Sequence, residues 1–408
     1  MKSNSTLLVN IIRIGQELLS VISKRIPLRG VKALNFYPGI ITMEPKPAIF
    51  FKNHTADELA SLLAPFGVNT RLAGKLQSAI LRGGLDEIPK AMEQTSWRVL
   101  EKVKNATVIP SLELIDKQVS PRDGFTKYLF KGDGDEPFET VRIPLLHVKG
   151  QEKYVVCVSS QVGCAMGCAF CATAKMGFRR NLQPWEIVDQ VMQIRKDSQY
   201  PVRGVVFMGM GEPMLNYDRV MQAASILREP CGIAIDARNI TISTVGVVPG
   251  IRRFTREKQP YRLVVSLTSA NSEKRKSLLP VENTHPLEEL MDAVRQYQEF
   301  SGSRMMLAWT MMSGINTSPE DAAEIARLTA GMPVKIDLID VNDPTGVFLK
   351  PSVEELKTFR DSLNAALGQP IVRRYSGGQD INAGCGMLAG LHMVEPDKPP
   401  CASLHDHS

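Results

Sequence analysis

The sequence predicts an α/β fold built on a largely parallel sheet with helical crossovers, and three observations carry that expectation. Short β-rich runs alternate with longer helical segments from Val155 onward, and six such strand–helix units follow one another. The chain has 408 residues, enough for a catalytic domain of two to three hundred residues and a smaller accessory unit. Hydrophobic residues make up 43% and charged residues 23%, the ordinary balance of a globular protein, so a fibrous or wholly disordered chain is excluded. The periodicity leaves a doubly wound sheet and a full or partial barrel both open.

The elements follow in order. Residues 7–26 are apolar but broken by Arg13, Glu17, Lys24 and Arg25, so they read as an amphipathic helix and not as a membrane span or signal peptide. A Pro-rich extended stretch, "NFYPGIITMEPKPAIFF", comes next. Residues 55–104 read as a small helical unit: Thr55 or Asp57 caps "ADELASLLAPFG", and Gly67 ends it. "RLAGKLQSAILRGG" then turns Arg71, Lys75 and Arg82 outward. Around "FKGDGDEPFETVRI" a Gly/Asp turn separates two strands of a hairpin.

The six units are "YVVCVSS" with "EIVDQVMQIRKD", "GVVFMGMG" with "YDRVMQAASILRE", and "NITISTVG" with "GIRRFTRE". They continue with "RLVVSLTSA" and "LEELMDAVRQYQEF", "RMMLAWTMM" and "PEDAAEIARLTA", and "VKIDLIDV" and "SVEELKTFRDSLNAAL". The Pro-rich tail after Met393 is expected to be disordered.

The net charge is +6, and its distribution says more than its size. Residues 1–110 hold 15 Lys/Arg and 8 Asp/Glu, so the whole surplus lies in the N-terminal quarter. A basic module beside a neutral body suits a polyanionic partner, nucleic acid first, although a solvated basic face gives the same count. Seven cysteines, an odd number, suit a reducing compartment in which thiols serve metal or redox chemistry.

The sharpest motif is Cys164-Ala-Met-Gly-Cys168-Ala-Phe-Cys171, directly after the first strand of the series. Structural zinc usually takes four protein ligands in two spaced pairs, and no fourth Cys or His stands nearby. Three thiolates on a [4Fe–4S] cluster instead leave one iron open for a substrate or cofactor that the cluster can reduce by one electron. The spacing, with an aromatic before the third Cys, resembles the signature of the radical S-adenosylmethionine (SAM) superfamily.

Flanking segments narrow the resemblance to the RlmN/Cfr family of radical-SAM adenosine methyltransferases. "CVSSQVGCAMGCAFCATAKMGFRRNL" resembles its cluster loop, and "MGMGEPMLNYDRV", "ITISTVGVVPGI" and "SLTSANSEKRKSLLPV" resemble its successive strand ends. "DINAGCGMLAG" is similar to its C-terminal segment, and "LAPFGVNTRLAGKLQSAILRGG" more loosely to its N-terminal module. The resemblance implies a partial (βα)6 TIM-type barrel of the radical-SAM type with a small helical N-terminal module. Its parts would be a basic RNA-contacting module over 1–110, a β-hairpin linker over 111–150, the barrel over 151–375, and a C-terminal loop and tail over 376–408.

Carried over residue by residue, Cys164, Cys168 and Cys171 would ligate the [4Fe–4S] cluster. Gly211, Glu212, Ser243, Ser266, Leu267, Thr268 and Asn342 would bind SAM at the C-terminal ends of the strands, where such barrels keep their chemistry. Cys385 would first accept a methyl group, Cys157 would be its redox partner, and Glu139 the proton acceptor. Carbons 2 and 8 of adenine are not nucleophilic. The implied route therefore parks a methyl on Cys385, takes a hydrogen atom from it with a 5′-deoxyadenosyl radical, adds the carbon to the ring and releases product as a disulfide. The implied setting is a cytoplasmic monomer acting on ribosomal and/or transfer RNA, with flavodoxin or ferredoxin as electron donor and no membrane.

The match has departures. The family has His where this chain has Thr268, and Asp340 and Asp343 stand in a loop that the family fills with Pro. Cys231, in "PCGIAI", reads as a small, partly buried residue, and Cys401 and the terminal "HDHS" as disordered. The runs Arg252, Arg253, Arg256, Lys258 and Lys274, Arg275, Lys276 read as solvated faces, or as phosphate grips if they flank the barrel mouth. Two rival readings share these motifs: a radical-SAM enzyme acting on a protein or small molecule, and a non-catalytic iron–sulfur RNA-binding protein.

Overall fold

Each of the six β-rich runs becomes a strand, and they line up in chain order. In the computed structural model, which describes residues 48–343 and 345–389, ten strands form one sheet. They are β1 (Glu113–Val119), β2 (Thr126–Lys131), β3 (Phe138–Leu145), β4 (Lys153–Cys157) and β5 (Val202–Phe207). The series continues with β6 (Ile240–Thr244), β7 (Arg262–Ser266), β8 (Met305–Met311), β9 (Val334–Asp340) and β10 (Ile371–Arg374). From β4 to β10 every neighbouring pair is parallel. A doubly wound sheet needs the strand order to reverse once, and here it never does. The edge strands β1 and β10 do not pair, so the barrel is partial.

The hairpin expected as a linker over 111–150 is instead three antiparallel strands, β1 to β3, continuing the barrel sheet through β4. Val141 of β3 pairs with Cys157 of β4, so this extension sets the wall beside a site residue. The strand β10, four residues long, was not anticipated; it adds Val372 and Arg374 to the barrel wall.

The crossover helices are α4 (Pro184–Lys196), α5 (Tyr217–Arg228), α6 (Val248–Arg256), α7 (Leu287–Ser301), α8 (Pro319–Leu328) and α9 (Val353–Leu367). Helix α4 shows why these segments stay helical. Ile187, Val188, Val191 and Ile194 are fully buried, and burying each such side chain contributes about 1.5–3 kcal/mol.

Before the sheet come α1 (Ala56–Leu63), α2 (Thr70–Gln77) and α3 (Trp97–Ala106). Thr55, not Asp57, caps α1, in a reciprocal capping box with Glu58, and Gly67 takes the left-handed conformation that ends the run. This helical unit is fastened to the barrel by a buried ion pair, Lys52 Nζ to Asp189 Oδ1 of α4 at 2.6 Å. The other Asp189 oxygen accepts from Leu112 N at 2.7 Å. The described residues form one compact unit, so 110 and 150 mark changes of element type within it. No helix among the described residues is long and apolar enough to cross a membrane. The expected helix over 7–26, Cys401 and the His-containing tail lie outside the described residues.

Candidate active site

After β4 the chain makes a small ribbon, Gln161–Gly163 paired with Phe178–Asn181, and the cysteine loop lies between its two strands. Gly163 is obligatory: its φ is +69°, and a Cβ there would sit 1.8 Å from the Gly177 carbonyl oxygen. The Cys164 N–H donates to that same oxygen at 3.1 Å, and the Cys171 N–H donates to Cys168 O at 3.1 Å, folding the loop on itself. Cys171 then begins the short helix Ala172–Lys175.

Cys164, Cys168 and Cys171 line one cavity of about 170 Å³ together with Gly211, Glu212, Ser243 and Ser266. Burial, then neighbouring acidic groups, pushes the Cys164 thiol up to about 12; burial and the two other thiols push Cys168 up as well. Three soft sulfur donors that disfavour one another's charge suit a cationic iron cluster, which removes that conflict on binding. They share the cavity without forming a closed metal-ligand group among the described residues.

Glu212 is 3% exposed, and its carboxylate accepts from Met214 N at 3.0 Å and Val245 N at 2.9 Å. Burial nonetheless lifts its pKa to about 7, so the carboxylate is short of a cation. The amino group of SAM would supply one. Gly211, at φ +98°, has no room for a side chain, since a Cβ there would sit 2.5 Å from Gln161 Cβ.

The other expected SAM contacts stand differently. Leu267 and Thr268 are fully buried behind the cavity wall. Thr268 has φ +58°, a strained conformation for a β-branched residue, and its carbonyl accepts from Asn316 Nδ2 at 2.8 Å. Asn342 faces the C-terminal segment, donating to Ser376 Oγ at 2.9 Å and Cys385 O at 3.3 Å.

Cys385 reaches the site from the far end of the chain. The Ala172 N–H donates to Gly386 O at 2.7 Å, and Thr173 Oγ1 donates to Leu388 O at 2.5 Å. Both donors directly follow Cys171, so the C-terminal loop is laid on the cysteine loop. The Ala389 N–H donates to Glu139 Oε2 at 2.7 Å, while Lys127 Nζ holds Glu139 Oε1 at 2.9 Å. Cys385 lines both the small cavity and a second one of about 450 Å³, which it shares with Cys157 and Arg374. Cys157 is 8% exposed; burial, then Cys385, pushes its thiol up to about 12 against the opposing pull of Arg374.

Sequence reasoning did not single out Arg374, Thr173 or Ser376. Arg374 lines both cavities and donates to Met208 Sδ at 3.3 Å. The only sequence signal was the alternation Val372, Arg374 in a run too short to read as a strand. The basic runs are largely consumed in ion pairs: Arg252 with Glu289, Arg253 with Asp218 and Glu257, Lys274 with Asp321. Arg275 is fully buried against Glu282 at 3.0 Å. The departing acids also have local partners, Asp340 with Arg373 at 2.6 Å and Asp343 with Thr345 and Phe348.

Residues 158–329 match the family model of the radical SAM superfamily. A probable RNA methyltransferase of Myxococcus xanthus (strain DK1622) is 46% identical over 356 residues, covering 86% of this chain and 98% of that protein. The dual-specificity RNA methyltransferase RlmN of Syntrophobacter fumaroxidans is 41% identical over 350 residues, covering 85% and 98%. A crystal structure of a radical SAM methyltransferase from Sphaerobacter thermophilus superposes with a TM-score of 0.75 at 35% identity, covering 84% of this chain and all of that one. Such enzymes imply SAM and a 4Fe–4S cluster, and the donor set around the small cavity fits both. With three thiols on one loop, a buried carboxylate opposite them and relatives matched over nearly their whole length, this chain belongs to the RlmN-type family of radical SAM RNA methyltransferases.

Proposed function

We propose that this enzyme carries a methyl group from SAM on the sulfur of Cys385 and delivers it to carbon 2 or carbon 8 of an adenosine in ribosomal and/or transfer RNA. The observation that carries the reading is the position of Cys385 on the wall of both cavities, one beside the cluster thiols and one beside Cys157. When bound, the cluster and SAM supply one-electron cleavage and so abstraction of a hydrogen atom, with flavodoxin or ferredoxin as the class of electron donor. The chain's own residues do the rest. Cys385, exposed and soft, takes the methyl from the sulfonium. Glu139 accepts the ring proton; it is held by Lys127 and covered by Ala389, so residues 386–389 must lift for it to act. Cys157 then attacks the Cys385 sulfur. An S–S bond forms, the C–S bond breaks, and its electron pair returns to the nucleobase.

RNA would be met at two places. Trp97 is 62% exposed with Arg98 over its ring, on the helical unit. Tyr375 is 72% exposed at the barrel mouth, where Arg122 and Lys350 line the same pocket with Asp123, Asp340 and Asp380. An exposed aromatic beside cations suits a nucleobase and its phosphates.

The test combines two variants with nucleoside mass spectrometry of both RNA classes. Cys385→Ala is expected to abolish methylation and keep reductive SAM cleavage, and full turnover by it would refute the carrier role. Cys157→Ala is expected to trap a covalent RNA–protein adduct; clean product without adduct would remove it from the scheme.

A further inference from the structure

The cavity beside Cys157 does not end at that thiol. Alternate residues of a strand share a face, and the inward set here runs Val155–Cys157, Thr241, Arg262–Val264, Lys335–Asp337 and Val372–Arg374. They run from Arg262, the first residue of β7, to Cys157 and Arg374, the last residues of β4 and β10, so the cavity of about 450 Å³ is a shaft along the barrel. That volume suits a small molecule. Its lower rim meets solvent, since Arg262 is exposed and Val372 is 42% exposed. Lys335 and Asp337 neutralise each other at 2.9 Å. Arg262 at the rim and Arg374 beside Cys157 have no carboxylate partner among the described residues. The shaft is therefore a cationic passage with a thiol at its inner end.

We propose that this shaft admits a small anionic thiol that reduces the Cys157–Cys385 disulfide after each turnover. The inference rests on the methyl-carrier reading of Cys385. Thiol–disulfide exchange proceeds with the attacking and leaving sulfurs on opposite sides of the central one. Cys385 sits toward the cluster side of Cys157, so the open approach to the Cys157 sulfur is the shaft. An incoming thiolate bonds to Cys157 Sγ, the Cys157–Cys385 bond breaks, and its electron pair leaves on Cys385. A second thiol attacks the reagent's sulfur in the mixed disulfide and frees Cys157. Two small thiols thus become one small disulfide, and the enzyme disulfide becomes two thiols. Cys385 is the exposed sulfur of the pair, so water meets it as the leaving group. Attack on Cys385 would instead expel the buried Cys157, whose thiolate its surroundings disfavour. Arg374 lines the shaft beside Cys157, where the incoming thiolate arrives, and Arg262 draws the anion to the rim.

The experiment uses the full-length enzyme oxidised with diamide, with the Cys157–Cys385 bond verified by non-reducing peptide mass mapping. Its reduction is timed with 2-mercaptoethanesulfonate, 2-mercaptoethanol and cysteamine, each rate divided by that on a small model disulfide. The anionic thiol is expected to lead the cationic one by about tenfold. Arg262→Glu should erase that preference, and Thr241→Trp, which fills the shaft, should slow all three. Should Thr241→Trp fail to fold, Arg262→Glu decides alone. Equal normalised rates untouched by Arg262→Glu would overturn the inlet. So would a disulfide that only a protein dithiol can reduce. If diamide produces no Cys157–Cys385 bond, the inlet falls together with the disulfide route of the carrier reading, a result distinct from the other two.

Discussion

Two loops bring sulfur to the same cavity by opposite means. The loop 163–178 is fixed locally: its ends are paired in a ribbon, Gly163, Gly167 and Gly177 all take the left-handed conformation, and its three thiols lie within eight residues. The segment 376–389 folds into its own short turns and is fastened largely from a distance. Its hydrogen bonds reach Ser120, Asp123, Glu139, Ala172, Thr173 and Asn342, each on another part of the chain. The difference teaches a division of labour. Sulfurs that must keep one geometry sit on a loop that local pairing over-determines. The sulfur proposed to visit two partners sits on a loop fastened mainly by side-chain and loop hydrogen bonds from elsewhere in the chain, each worth only about 0.5–1.5 kcal/mol.

The strongest break in that comparison is Cys164→Ala. It should remove both 5′-deoxyadenosine release and methylation, whereas Cys385→Ala spares the first; identical losses in the two variants would erase the distinction. Next comes Glu139→Gln. Gln still accepts from the Ala389 N–H but cannot take a proton. Methyl transfer should fall by roughly 10²–10⁴-fold while amide exchange of residues 386–389 stays unchanged. A loosened segment with normal transfer would make Glu139 a latch alone.

Glu212 sharpens the fixed side. Its folded pKa, about 7, lies above the ordinary 4.5, so folding favours the protonated carboxyl. That contribution is fully present below pH 4.5 and is lost as pH rises through about 7. Over this window the protein lacking cluster and SAM should lose on the order of 3 kcal/mol of stability. Denaturant titrations should show the slope in the wild type and a flatter one in Glu212→Gln. The smallest expected effect is on the movable side. Thr173→Val deletes one hydrogen bond to Leu388 O and should speed amide exchange in residues 386–389 by roughly fivefold, leaving SAM cleavage intact. No change would mean that this bond does not hold the segment.

The six strand–helix units were legible because each carries its own period of apolar residues and its own turn chemistry. The cluster loop was legible for a similar reason, since spacing and residue type together define the motif. The extension of the sheet by β1 to β3 was not, because a hairpin has the same alternation whether or not a third element pairs with its edge. Strand β10 was too short to show a period, so Arg374 stayed hidden with it. Arg275 read as part of a basic surface run and proved fully buried, because its partner Glu282 becomes a neighbour only when the turn after the helix Ser272–Leu278 folds back.

Taken by itself, the amino-acid sequence determined the order of strands and helices and the three-thiol loop, since these depend on near neighbours along the chain. Tertiary structure alone decided which residues share a wall. It seated Cys385 over Cys171, turned Asn342 toward the C-terminal segment and opened a cationic shaft beneath Cys157. Contacts between residues more than 200 positions apart are set by how the sheet curls and which loops it leaves uncovered, and no local pattern encodes that.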